Sequence, residues 1–322
     1  MARIFIGVDI GGTKVAGGLV NDSGEVIFRA RVPMVANGTA EDGFEAVRTA
    51  IDSVSIRIEP GDEPAGIGVC SPGPLDPLSG VVVNPPNLPC WRNFPLGDAV
   101  TRAYRVPAFI DNDGNAAALA EATWGAGKGY RNVFYATIGT GIGTGIVFDG
   151  KIYHGRTGAA AEGGHLTIDY RGPLCGCGKR GCIEAFASGP AIAERARRAV
   201  SLSKIPSMML DLAGGRIEAI TSEMLAQAYA GGDSTATSVL SETVDLLSWW
   251  LGNIIDLLEP EVIVIGGGVA SMLEPFFGEL RSRVNECCIN PAPGNIPLVK
   301  ACYGEDAGIV GAAALCMTGV AE

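Results

Sequence analysis

"RIFIGVDIGGTKVAGGLVNDSGEVIFRARV", residues 3–32, reads as three strands joined by two turns. "RIFIGVDI" is an apolar, β-branched run, "GGTK" a turn, "VAGGLV" a loosely alternating strand, "NDSGE" a second turn and "VIFRARV" a third strand. Residues 132–153, "NVFYATIGTGIGTGIVFDGKIY", follow the same plan without repeating its residues. Two such openings in one chain point to two α/β domains. The length of 322 residues agrees, since it exceeds what one core usually fills.

The intervening segments complete each domain. Phe44, Val47, Ile51 and Val54 have helical spacing over 40–57. "AGIGVC" (65–70) is a buried strand, broken by "SPGPLDP". "PAFIDND" (107–113) is another strand and leads into a helix from 114. Residues 155–184 are loop-rich, and 189–258 are mostly helical with a break around 201–222. "EVIVIGGGVA" (261–270) is strand, glycine turn and helix start, followed by a strand near 296–300 and a last helix at 306–318. The expected domains are 1–115, completed by the C-terminal helix 305–322, and 116–304. The glycine-rich "WGAGKGY" (124–130) is the expected hinge.

Composition narrows the function. Apolar residues make up 47% and charged residues 18%, so the chain can bury a large core and is not disordered. The net charge of −11 gives no electrostatic footprint for nucleic acid. The N-terminal apolar run is too short and too glycine-rich for a signal peptide, and no run approaches a membrane span. A cytoplasmic protein with reduced cysteines is expected, and clustered cysteines then suggest metal.

Three glycine turns are candidates for phosphate and nucleotide contacts. In "DIGGTK" (9–14), Asp9 ends a strand and Gly11 and Gly12 allow close backbone approach. Thr13, Lys14 and the turn N–H groups suit a terminal phosphate, with Asp9 for Mg²⁺. A plain hairpin explains this stretch equally well. "TIGTGIGTG" (137–145), with Thr140, Gly141 and Gly143, carries more glycine than a hairpin needs. "VIVIGGGVA" (262–270), with Gly267 and Gly268, could pack under an adenosine, and it lacks the dinucleotide fingerprint. "FIDNDGN" places Asp111, Asn112 and Asp113 at a strand end before a helix. Asp113 is expected as the N-cap or a first-turn residue of that helix, a place that one of the two aspartates fills, and it is also placed to act as a general base toward a hydroxyl.

The order of these turns, with "DND" between the first two, then "GAAAEGGHLTID" and "CGCGKRGCIE", resembles the ROK family (repressors, open reading frames, kinases) along essentially the whole chain. The resemblance implies a two-domain actin-like ATPase (ribonuclease H-like) α/β fold, each domain with a mixed sheet flanked by helices. It implies Asp113 as the catalytic base, and Gly73, Asn87, Asn112, Asp113, Glu162, His165 and Glu184 at the sugar. It implies Asp9, Gly11, Gly12, Thr13, Lys14, Thr140, Gly141, Gly143, Gly267 and Gly268 at Mg-ATP. His165, Cys175, Cys177 and Cys182 match the family's zinc ligands. His followed by C-x-C-x₄-C suits a closed Cys₃His tetrahedron, which makes the metal structural. The other cysteines are expected in the core, as are Trp249 and Trp250. His154 is expected to be an ordinary polar residue after a strand, with no partner that the sequence identifies.

Two departures stand out. The family's Glu-Ile-Gly-His is here Glu162-Gly163-Gly164-His165, and Gly114 replaces a usual Ala. Loss of the Ile side chain is expected to loosen local packing and could make room for an acyl group. The expected activity is transfer of the γ-phosphoryl of ATP to the 6-hydroxyl of a hexose, glucose first, in glycolysis. N-acetylmannosamine, N-acetylglucosamine, fructose and allose are the alternatives. Family repressors carry an extra N-terminal DNA-binding domain, for which a motif starting at residue 9 leaves no room. A silent sugar-binding regulator is disfavoured by the intact carboxylates. A homodimer or homotetramer is implied.

Overall fold

The structure is a computed structural model describing residues 3–59 and 64–318. The chain divides into two compact units. Unit 1 is Met1–Tyr135, Gly145–Ala161 and Ala301–Glu322, and unit 2 is Ala136–Thr144 and Glu162–Lys300.

Unit 1 opens with β1 (Ile4–Ile10), β2 (Lys14–Asn21) and β3 (Val26–Pro33), then α1 (Ala40–Ser55) and β4 (Ile67–Cys70). A small hairpin of β5 (Leu75–Asp76) and β6 (Val81–Val82) precedes α2 (Leu96–Tyr104), β7 (Ala108–Asp111) and α3 (Asp113–Thr123). Strands β8 (Val133–Ile138) and β9 (Ile142–Phe148) are divided between the units, and β10 (Lys151–Ile152) belongs to unit 1. Unit 2 continues through α4 (Glu184–Ala187), α5 (Gly189–Leu202), α6 (Met208–Leu212), α7 (Ser222–Ala230) and α8 (Ser234–Leu258). It ends with β11 (Val262–Gly266), α9 (Ala270–Leu273), α10 (Phe277–Cys287) and β12 (Leu298–Lys300). The last helix, α11 (Ala307–Thr318), lies in unit 1.

The first sheet runs β3-β2-β1-β4-β7, and the second β10-β9-β8-β11-β12. Each places a three-stranded meander beside two further strands, so the echo read in the sequence is a repeat of topology. In the first sheet, β1–β2–β3 is antiparallel, whereas β1, β4 and β7 are parallel. The register sets Asp9 beside Cys70, and Cys70 beside Asp111, at the carboxyl ends of those parallel strands. Open α/β sheets put their ligands at such strand ends.

Alternation along β1 explains which face covers what. Ile6, Val8 and Ile10 join the core shared with Val47, Ile51 and Val54 of α1. Each such buried side chain contributes about 1.5–3 kcal/mol. Thr39 starts α1 with a capping box closed by Asp42. Phe5, on the opposite face of β1, packs with Ile309 and Ala313 of α11. That helix approaches the sheet closely because Gly7 and Gly68 offer no side chain. A Cβ on them would lie 2.0 Å from Ile309 O and 1.7 Å from Ala312 O. Such contact explains why "AGIVGAAALCMT" is apolar all round.

Some details depart from the sequence reading. Residues 201–222 contain α6 and a short 3₁₀ turn at Ile217–Ala219. Helix α2 was not expected; it starts after Pro95 without a side-chain cap, so the usual start signal is missing. The segment 124–130 lies inside unit 1, where Glu121 holds the Ala126 N–H at 2.8 Å. Helix α3, which the expected boundary at 115/116 would cut, lies wholly in unit 1. Trp250 is fully buried as expected, but Trp249 is 55% exposed. Cys70 and Cys316 are buried, Cys90, Cys287 and Cys288 are half-buried and Cys302 is exposed, so only part of that set is core.

Candidate active site

In unit 1, Asp9 sits at the end of β1 and the chain turns through Gly11–Thr13. The Gly11 N–H donates to Lys14 O at 2.9 Å, and the Met34 N–H to Thr13 O at 3.0 Å. A Cβ on Gly12 would lie 3.1 Å from Asn87 O, so this turn rests against the Asn87 segment. Thr13, Lys14 and Asn87 are exposed, and Gly73 lies in the exposed loop before β5.

Asp9 has two close neighbours that the sequence reading missed. The buried Cys70 thiol donates toward Asp9 Oδ1 and Gly308 O, both at 3.4 Å. A Cβ on Gly308 would fall 2.4 Å from Asp9 Cγ, so only glycine leaves the carboxylate its place. Burial raises the Asp9 carboxyl above its usual range, opposed by the Cys70 thiol and the Lys14 and Arg31 charges. Burial also raises the Cys70 thiol, and the Asp9 and Asp113 charges push it further. Cys70 therefore remains a neutral donor within the field of both carboxylates.

Of the two places expected for Asp113 at the start of α3, it takes the first turn, and Asn112 is the N-cap. Its Oδ1 accepts from the Asn115 N–H at 2.7 Å. Asp111 is too buried and too fully bonded to serve, at 2% exposure. Asp113 stands exposed on the first turn, accepting the Gly114 N–H at 2.9 Å. The helix N-terminus stabilises a carboxylate there.

In unit 2, the turn between β8 and β9 is tied down on several sides. Gly139 N–H donates to Gly141 O at 2.9 Å, Gly189 N–H to Gly139 O at 2.8 Å and Val269 N–H to Ile138 O at 2.9 Å. These bonds bring Thr140 and Gly141 beside the start of α5 and beside Gly267–Gly268. Gly267 has φ +89°, which lets the chain turn sharply after β11. Between them lies a cavity of about 520 Å³, lined by Thr140, Gly189, Arg197, Glu223 and Gly268 among others. The sequence reading missed Gly189, Arg197 and Glu223. "SGP" at 188–190 was the available signal: Ser188 caps α5 and Pro190 follows in its first turn. A helix N-terminus opening on a cavity suits an anion.

Next to that turn stands a thiol-rich loop. The donor atoms of His165, Cys175, Cys177 and Cys182 all lie within 4.8 Å of one another. Cys175 Sγ is 3.6 Å from His165 Nδ1, and Cys177 Sγ is 3.7 Å from Cys182 Sγ. A zinc tetrahedron with ordinary bond lengths has S···N and S···S edges of about 3.6–3.8 Å. The donor set and spacing therefore fit zinc. The loop is folded by Cys175 N–H to Lys179 O at 2.8 Å, and Lys179 Nζ holds His165 O at 2.7 Å.

Glu184 links this loop to the glycine turn. Its Oε2 accepts the Ile142 N–H at 2.9 Å, while Oε1 lies 3.6 Å from Cys175 Sγ and 3.8 Å from His165 Nδ1. Glu162 is exposed and its carbonyl accepts the His165 N–H at 3.0 Å. The Gly163 departure does not loosen packing. A Cβ there would meet Thr144 Oγ1 at 2.8 Å; the Gly163 N–H donates to that same oxygen, and Gly163 O accepts from Trp250 Nε1 at 3.0 Å. Thr144 thus closes the place of the missing side chain, and Trp250 ties down the backbone beside it. A second correction concerns His154: its Nε2 pairs with Asp111 Oδ2 at 2.5 Å.

The two meander sheets, with carboxylates at strand ends and glycine turns between strands, define an actin-like ATPase fold. The ROK family profile matches residues 5–318. The chain is 36% identical over 311 residues to a glucokinase of Thermotoga maritima, covering 97% of this chain and 96% of that one. Among solved structures it is similar to a ROK family glucokinase from Streptomyces griseus in complex with glucose and AMPPNP, with a TM-score of 0.79 and 33% identity over 98% of this chain and 99% of that one. It is likewise similar to a ROK hexokinase from Thermus thermophilus, with a TM-score of 0.79 and 33% identity over 99% of both chains. The chain belongs to the ROK family.

Proposed function

We propose that the protein is an ATP-dependent sugar kinase that transfers the γ-phosphoryl group of Mg-ATP to the 6-hydroxyl of glucose. The observation that supports this most is the likeness, over nearly the whole chain, to a glucokinase described with glucose and AMPPNP. Asp113 accepts the hydroxyl proton as the oxygen attacks phosphorus. Asn112 spends its Oδ1 on the α3 cap, which leaves its amide NH₂ as the donor for a sugar hydroxyl. Asn87, Glu162, His165 and Glu184 are the further sugar contacts, with Gly73 in the neighbouring loop. Asp9 holds Mg²⁺, and the turns at Gly11–Lys14 and Thr140–Gly143 present N–H groups to phosphate oxygens. Gly267 and Gly268 border the adenosine. His165, Cys175, Cys177 and Cys182 hold zinc, whose contribution is to keep the loop rigid.

Glucose is favoured over N-acetylated sugars by the closed surroundings of Gly163. The space expected for an acyl group there is taken by Thr144. ADP release from Mg-ATP, measured with glucose, N-acetylmannosamine, N-acetylglucosamine, fructose and no sugar, tests the proposal. Glucose is expected to give the highest kcat/KM; turnover no higher than the blank with every sugar would overturn the kinase reading.

Gly308→Ala tests the place of Asp9. The added methyl displaces the Asp9 carboxylate, and a shift of this size is expected to cost about 10–100-fold in kcat/KM for Mg-ATP. Sugar binding measured by calorimetry should persist. An unchanged kcat/KM would remove Asp9 from the metal site.

A further inference from the structure

The pair formed by His154 and Asp111 is not used by the mechanism above, yet it sits directly behind the residues that are. Asp111 is nearly inaccessible, and each of its oxygens is engaged. Oδ1 accepts the Asn112 N–H at 2.8 Å and Asn115 Nδ2 at 2.9 Å, and Oδ2 faces His154 Nε2 at 2.5 Å. Asn112 in turn caps α3 through the Asn115 N–H. Asp111, Asn112 and Asn115 therefore lock the strand-to-helix turn from which Asp113 projects. A buried carboxylate keeps its charge only if it is paired. The partner arrives from the segment after β10, 43 residues further along the chain.

We propose that His154 is a positioning residue for sugar phosphorylation: by holding Asp111 from behind, it sets where Asn112 and Asp113 stand. This rests on the kinase reading above. His154 reaches that turn through Asp111. Its ring lines a cavity of about 850 Å³ within unit 1, walled by β7, α2, α3, the β9–β10 turn and α11. Solvent in that cavity can exchange the ring proton. The charged groups facing it are Asp111 from β7, Asp98 from α2, Asp149 from the β9–β10 turn and Lys151 from β10. Asp149 is paired with Arg131 at 2.5 Å. The lining residues of α3 (Leu119, Thr123) and α11 (Leu315, Met317) carry no charge.

The hydrogen bond to Asp111 raises the His154 pKa above its usual value, against the opposing effect of burial. A raised pKa has a definite sign. The ion pair contributes its full stability below the unfolded value of about 6.5 and loses it as pH rises through the higher folded value.

The test compares His154→Gln, which retains an N–H donor without the charge, with His154→Phe, which retains neither. The Phe variant is expected to lose about 10–100-fold in kcat/KM for glucose with an unchanged KM for ATP. The Gln variant should recover most of that loss. Its melting temperature should also vary less than wild type as pH rises above the unfolded value of about 6.5. Wild-type glucose kinetics in the Phe variant, or an equal loss toward glucose and ATP, would overturn the proposal. If the Phe variant does not fold, the Gln variant decides: a melting profile and a pH–rate profile identical to wild type would overturn the role of the ion pair. Failure of the kinase reading shows separately, as a wild-type protein without sugar-dependent ADP release.

Discussion

Asp113→Asn is expected to lower sugar-dependent turnover by about 10²–10⁴-fold, the usual contribution of a positioned general base. Glucose binding, followed by calorimetry, should change little. The amide is nearly isosteric and can still accept the Gly114 N–H through its oxygen, so the first turn of α3 is retained. What it loses is the ability to take the hydroxyl proton. The cap on Asn112 and the anchor on Asp111 are separate from this change, so the backbone that presents residue 113 stays in place. Turnover near wild type would remove Asp113 from the role of base and leave the binding residues untouched. A loss confined to KM would make Asp113 a sugar ligand only.

Cys182→Ser is expected to abolish stoichiometric zinc and to weaken glucose binding by about tenfold or more, as loss of supporting contacts around a metal does. Serine offers a hard hydroxyl in place of a soft thiolate, and zinc sites of this type depend on the thiolate. Cys182 is fully buried, and its neighbour Ile183 ties back to Leu166 through an N–H donated at 3.0 Å. Loss of the metal thus releases the segment carrying His165 and the start of α4 carrying Glu184 together. Metal content by mass spectrometry and glucose affinity by calorimetry check the two halves separately. Zinc retained at one equivalent would refute the ligand assignment. Zinc lost with unchanged glucose affinity would show that the loop holds its shape through Lys179 and the backbone bonds alone.

Much of the molecule was legible locally. The three strands of 3–32 could be read because β-branched runs and Gly-containing turns are properties of neighbouring residues. The helix over 40–57 was legible for the same reason, with its four apolar residues on one face. The cluster of His165, Cys175, Cys177 and Cys182 was legible because all its donors fall within one stretch of chain. Helix α2 was not, because it begins without a capping side chain. That Asn112 caps α3 while Asp113 takes its first turn was not legible, because Asp and Asn cap equally well, and only the backbone, extended at Asn112 and helical from Asp113, decides between them. The Gly163 departure was read as a void because the sequence cannot show that Thr144, nineteen residues earlier, fills the place.

The sequence by itself determined the two-part α/β plan, the family, and which residues are candidates for the chemistry. Those follow from local propensity and from the order of motifs along the chain. Only the tertiary structure decided which side chains support them. Asp9, Cys70 and Asp111 become neighbours through parallel strand register. Gly308 is required because α11 lies against Asp9. His154 has a partner because β10 brings the following segment back to β7. Each contact joins residues far apart in sequence, and the free energy that selects it comes from packing and from pairing buried charge.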